Sequence, residues 1–269
     1  MVSLSADQRQ SLDALIAEHG EGKLQEYIDE LRGGKPIIYL FSPRLVEATV
    51  RLSLTRDWSL SAIYPSVPIA DKDEGQKLEW KVQTRADGTL HELNTGLDVS
   101  YLFWEALTNK VVDSPPSSPV IGQAREVFRP GVTGVSNEDS VLIPVADVTP
   151  YLDKALAALG LHIEARTSFI TYWLPDMLKH THVALRFLDQ VAYAHAATLD
   201  VSPKPDVVTR IFMLFRGVKE LELGEWEGAQ AKAAEPAEMW RDVVGMNLEE
   251  TLDESLFRVI EWGGMEVFH

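Results

Sequence analysis

The chain has 269 residues, 45% hydrophobic and 25% charged, with no cysteine and a formal net charge of −16 from 41 acidic and 25 basic side chains. This is the composition of a folded chain large enough for a sizeable core. It excludes global disorder, and the lack of cysteine excludes disulfide frameworks, thiolate metal sites and cysteine nucleophiles. The acidic balance, with Lys and Arg scattered singly, opposes nucleic acid and anionic membrane surfaces as partners. With no secretory pattern at the start and no apolar run near the roughly 20 residues of a membrane span, a soluble cytoplasmic protein is expected.

In chain order, residues 1–34 read as a helical pair. Ser5 and Gln8 form a capping box, Leu12, Leu15 and Ile16 share a face, and Leu24, Tyr27, Ile28 and Leu31 repeat at helical spacing before Gly33-Gly34. From Pro36 the period falls to two. Ile37–Phe41 is a short apolar strand, and Val46, Ala48, Val50, Leu52 and Leu54 alternate with polar residues as a half-buried strand does. Residues 58–64 are expected to pair antiparallel with 45–54. Leu78, Trp80 and Val82 begin a third strand, Asp87-Gly88 turns it, and Leu97, Val99, Tyr101 and Phe103 complete the set. The Pro- and Ser-rich stretch Asp113–Pro119 marks a boundary.

Beyond it the elements are mixed. Val141–Val145 reads as a strand, and Thr149-Pro150 opens a helix that Gly160 ends. Residues 163–178 carry an apolar stripe that Pro175 should kink or stop. Residues 183–187 alternate, 207–215 are apolar enough for a strand buried on both faces, 220–237 read as an acidic, mobile surface excursion, and 256–262 is a final strand. The class expected is α+β: an N-terminal helical pair, an antiparallel β-sandwich-like lobe over 35–112, and a mixed α/β lobe over 120–269, packed as one unit.

Four blocks occur in order: Lys35-Pro-Ile-Ile-Tyr-Leu-Phe-Ser-Pro43, Tyr101-Leu-Phe-Trp-Glu-Ala106, Phe169-Ile-Thr-Tyr-Trp-Leu-Pro-Asp-Met177, and Ser202-Pro-Lys-Pro-Asp206 through Arg210-Ile-Phe-Met213. Over about residues 35–262 the chain resembles a group of uncharacterised bacterial and fungal proteins, some fungal members being labelled "ubiquitin-protein ligase-like". The resemblance implies a shared fold and brings no reaction with it. The ligase label has no counterpart in the residues, because a cysteine-free chain forms neither a RING zinc site nor a thioester.

Three constellations bear chemistry. His180-Thr-His182 on a strand would turn both imidazoles to one side, and with His195 and a carboxylate they would make an open zinc or iron site for a hydrolase or oxygenase. The alternative is a solvated or structural pair. Glu105, ending the aromatic run Tyr101–Trp104, would have its pKa raised by burial and act as a general acid, or would pair structurally with Arg210, which needs a carboxylate in its apolar strand. Tyr101, Trp104 and Trp173, with Arg210, would line a cleft between the lobes for a small molecule or peptide, or would simply be core. A third function is an acidic scaffold that engages a basic protein partner through 220–237.

Overall fold

A computed structural model describes residues 32–33, 35–109 and 126–267. The expected N-terminal helices and the 113–119 connector lie outside these residues, apart from Arg32–Gly33, which forms a short strand, β1. The strands that follow are β2 (Ile37–Phe41), β3 (Glu47–Leu54), β4 (Trp58–Tyr64), β5 (Ile69–Lys72), β6 (Gly75–Thr84), β7 (Leu90–Glu92), β8 (Asp98–Val99), β9 (Leu102–Thr108) and β10 (Val141–Pro144). Two helices come next, α1 (Val148–Ala158) and α2 (Ile163–Met177), then β11 (His182–Phe187), α3 (Gln190–Ala196), β12 (Ala197–Ser202) and β13 (Val207–Val218). The chain continues through α4 (Glu227–Lys232), α5 (Met239–Val244) and α6 (Leu248–Leu252) to β14 (Arg258–Glu266).

The strands form two sheets packed against helices, an α+β architecture. One sheet has eight strands in the order β1-β9-β2-β14-β13-β11-β10, with β4 also pairing with β9. The other has six in the order β12-β3-β6-β7-β8, with β5 also on β6. Among the described strands β13 and β14 pair in parallel, with Arg210 opposite Glu261, and the remaining pairs are antiparallel.

The eight-stranded sheet is the middle layer, which explains its composition. Successive side chains on a strand face opposite ways. On β13, Phe212 and Leu214 enter the core shared with the six-stranded sheet, whereas Ile211, Met213 and Phe215 enter the core beneath α1, α2 and α5. On β2, Ile38 and Leu40 face the other sheet, and Ile37 and Tyr39 face the helices. Strands covered on both sides have no polar row to alternate with. By contrast β3 is covered on one face and alternates cleanly, with Ala48, Val50, Leu52 and Leu54 buried.

Several expectations are corrected. β4 pairs with β9 and not with β3, whose neighbours are β6 and β12. Alternation identifies a strand but says nothing about which strand lies beside it. The two halves share their sheets: β2 pairs with β14, and β12 with β3. The expected 97–103 strand is broken at Ser100-Tyr101 into β8 and β9. Pro175 lies inside α2, two residues before its end, where its missing amide removes only one helical bond. The 220–237 stretch is a 3-10 turn over Glu220–Glu225 followed by α4, anchored by buried Trp226 and Ala229. No helix among the described residues is long and apolar enough to cross a membrane.

Candidate functional site

The residues expected to line a common cleft are dispersed by the pleat. Trp104 points into the core between the sheets and is fully buried, with its indole N–H donating to Glu261 Oε1 at 3.2 Å. Trp173, on the inner face of α2, lies on the opposite side of the eight-stranded sheet, edge-on to Phe215 at 5.4 Å. Tyr101 is half-buried beside Tyr39 at 5.6 Å. Where the halves meet there is packed side chain, so the inter-lobe cleft is replaced by core.

Arg210 does have a carboxylate partner, but it is Glu261 and not Glu105. The Arg210 guanidinium donates through Nε to Glu261 Oε2 and through Nη1 to the Ala197 carbonyl at 2.6 Å. It also lies 4.4 Å over the Tyr193 ring, whose hydroxyl reaches Glu261 Oε1 at 3.3 Å. Burial pushes the Tyr193 phenol well up, so it stays a neutral donor. Glu105 follows Trp104 and therefore faces the other way, in the row of Phe103, and accepts from Ser61 Oγ at 3.1 Å. The signal for Glu261 was present in Val259-Ile-Glu-Trp262, an acid within an apolar strand, the same anomaly that drew attention to Arg210. A second buried guanidinium, Arg186, spans Asp139 and Glu126 and ties the 126–140 segment to β11.

The histidines also separate. The His180 imidazole lies flat on Gly217, where a Cβ would meet Nδ1 at 2.1 Å, and its Nε2 contacts Glu266 Oε1 at 2.7 Å. Gly217 alternates with Met213 and Phe215, so this is the helix side of the sheet. His182 is opposite Val218, which belongs to the core on the other face. His195 is exposed on α3. Among the described residues no three His, Asp or Glu side chains gather as metal ligands would. A turn precedes β11 at His180, so the two-residue alternation that would align the pair does not hold there.

His182 nevertheless lines a concavity of the surface. Two adjoining cavities, of about 650 and 660 Å³, share Tyr151, Lys154, Ala233 and Ala234; the first lies at the β10 edge of the eight-stranded sheet, and the second between α1 and residues 233–241. Leu142, Ile143 and Pro144 of β10 form the floor. α1 presents Pro150, Tyr151 and Lys154 at helical spacing, and the opposite wall is the 220–238 segment with Leu223, Gln230 and Ala233. That wall is fixed: Ala229 N donates to Asn137 Oδ1 at 3.0 Å, Lys232 Nζ to the Glu138 carbonyl at 2.6 Å, and Arg216 stacks on Trp226 at 5.5 Å.

Polar groups line both parts of the groove. Tyr151 Oη accepts from Trp240 Nε1 at 2.9 Å, which leaves its own O–H to donate, and burial raises its pKa so that the proton stays on. Asp147, Lys154, His182 and Gln230 line the first cavity, and Glu235, Glu238 and Arg241 the second. Sequence reasoning missed Tyr151 and Lys154 because a tyrosine and a lysine on an amphipathic helix look like any half-exposed pair. Compared with known proteins, the chain matches no family model, no curated protein and no solved structure.

Proposed function

We propose that the protein is an intracellular binding protein for an elongated small molecule or short peptide, seated in the groove between β10, α1 and the 220–238 segment. One observation carries this reading: two cavities of ligand size adjoin through shared lining residues, the first with an apolar floor, and both with polar side chains in their walls. The apolar body of the ligand packs on Leu142, Ile143, Pro144 and Leu223. Tyr151 donates a hydrogen bond, while Lys154 and Asp147 offer one charge of each sign, which suits a ligand carrying both, as a peptide does.

A fragment and dipeptide screen followed by amide NMR tests the proposal, using Ala234→Trp to fill the exposed middle of the groove. Binders are expected to shift resonances of 142–154 and 223–234 in the parent protein and to lose binding at least tenfold in the variant. Hits that shift other regions, or that bind Ala234→Trp equally well, refute it.

A further inference from the structure

A separate concavity of about 410 Å³ lies at the other end of the sheets, between the end of β2, the β6–β7 turn and the start of β14. Phe41, Ser42, Pro43, Arg85, Asp87, Gly88, Glu254 and Arg258 meet there. Arg258 is opposite Phe41 in the register of β14 and β2, and its guanidinium lies 5.4 Å over the Phe41 ring. Phe41 is itself held in place by Tyr39, stacked at 5.8 Å, and by the His162 edge at 5.6 Å. Gly88, at φ +83°, brings the hairpin turn so close that a Cβ would stand 3.0 Å from Phe41 Cε1. The turn thereby delivers Arg85 to the same concavity.

The charges within it are unevenly matched. Arg258 donates through Nη1 to the Thr251 carbonyl at 2.8 Å, but its buried Nε has no hydrogen-bond partner, and it forms no ion pair among the described residues. The nearby acids are engaged: Asp87 accepts from Thr89 N and Oγ1 at 3.0 and 2.7 Å, Asp253 from Ser255, and Asp98 holds Arg85 at 2.7 Å. Glu254 is exposed and acts on Arg258 without a direct bridge. Burial destabilises the charged guanidinium and is the largest influence on it, ahead of those acids. A guanidinium laid against an aromatic ring, lining a concavity and without an ion pair among the described residues, has charge left to offer an oxyanion there.

We propose that this concavity is a binding site for a small oxyanion, the phosphoryl or carboxylate group of a low-molecular-weight ligand, held by Arg258 with Arg85 closing over it. It is independent of the β10 groove, so either site can fail without the other.

The test is a titration of the full chain with inorganic phosphate and, separately, acetate, against chloride at matched ionic strength, following the Arg258 Nε–H signal by NMR. That signal is assigned by its loss in Arg258→Lys. Phosphate or acetate is expected to give a saturable shift that chloride does not, and the stronger of the two identifies the ligand class. Arg85→Ala, on an exposed turn, is expected to weaken it about tenfold, the loss of one charge-assisted hydrogen bond. A shift no larger than that of chloride overturns the proposal, as does unchanged affinity in Arg85→Ala.

Discussion

The Arg210–Glu261 pair gives the sharpest test of how β13 and β14 are held together in the core. Glu261→Gln keeps the shape and removes the charge, leaving a guanidinium 4% exposed with no counter-ion. Removing one partner of such a pair costs about 3–5 kcal/mol, and Arg210→Met should cost about the same by stranding the carboxylate. Neither should abolish folding if the whole chain has a stability of about 5–15 kcal/mol. In the double variant no charge is stranded. What remains is the Ala197 carbonyl without its donor and a glutamine amide without an acceptor, about 1–3 kcal/mol each. The single losses together come to about 6–10 kcal/mol against about 2–6 kcal/mol for the double variant, so the cycle should show a coupling of about 4 kcal/mol in favour of the native pair. Urea unfolding followed by tryptophan fluorescence suits the purpose, because Trp104 donates directly to Glu261. Single losses below about 1 kcal/mol, or additivity within about 0.5 kcal/mol, would show that the pair is not a coupled unit.

Other outcomes follow from single contacts. Gly217→Ala should drive the His180 ring off the strand and break its 2.7 Å contact with Glu266, costing about 1–3 kcal/mol in urea unfolding; an unchanged midpoint counts against the packing described. Gly75→Ala places a Cβ 2.0 Å from the Leu54 carbonyl at φ +123°, and should lose about 3 kcal/mol or more by the same assay. His162 is held below the usual histidine range chiefly by burial, with Glu164 opposing. Its contribution to stability is therefore present above about pH 6.5 and lost as pH falls through the lower folded-state value. An NMR titration of the His162 ring should give a midpoint below about 6.5, and one at or above that value refutes the assignment.

How much of this was legible depended on whether the signal was local. Strands β2, β3, β11 and β13 stood out because burial on one or two faces writes a period into consecutive residues. The strand order did not, since β2 finds β14 more than 200 positions away and nothing in Ile37–Phe41 names its partner. The candidate residues divide along the same line. That Arg210 must have a carboxylate followed from its strand alone, whereas choosing Glu261 over Glu105 required knowing that β13 and β14 lie side by side. The β10 groove was invisible because its walls come from three stretches whose individual sequences are unremarkable amphipathic helix, edge strand and acidic turn.

The position of β14 has a consequence for how the protein is made. It sits between β2 and β13, yet it is the last of the described strands to leave the ribosome. Until it emerges, β2 presents one open edge and β13 another, each lined with unsatisfied amides and apolar side chains. The nascent chain must therefore carry the open β2 edge through most of its synthesis, and the β13 edge over its last stretch, and close both in one late insertion. Holdase chaperones should bind ribosome-stalled chains ending before residue 258 far more strongly than chains in which Arg258–Glu266 has cleared the exit tunnel.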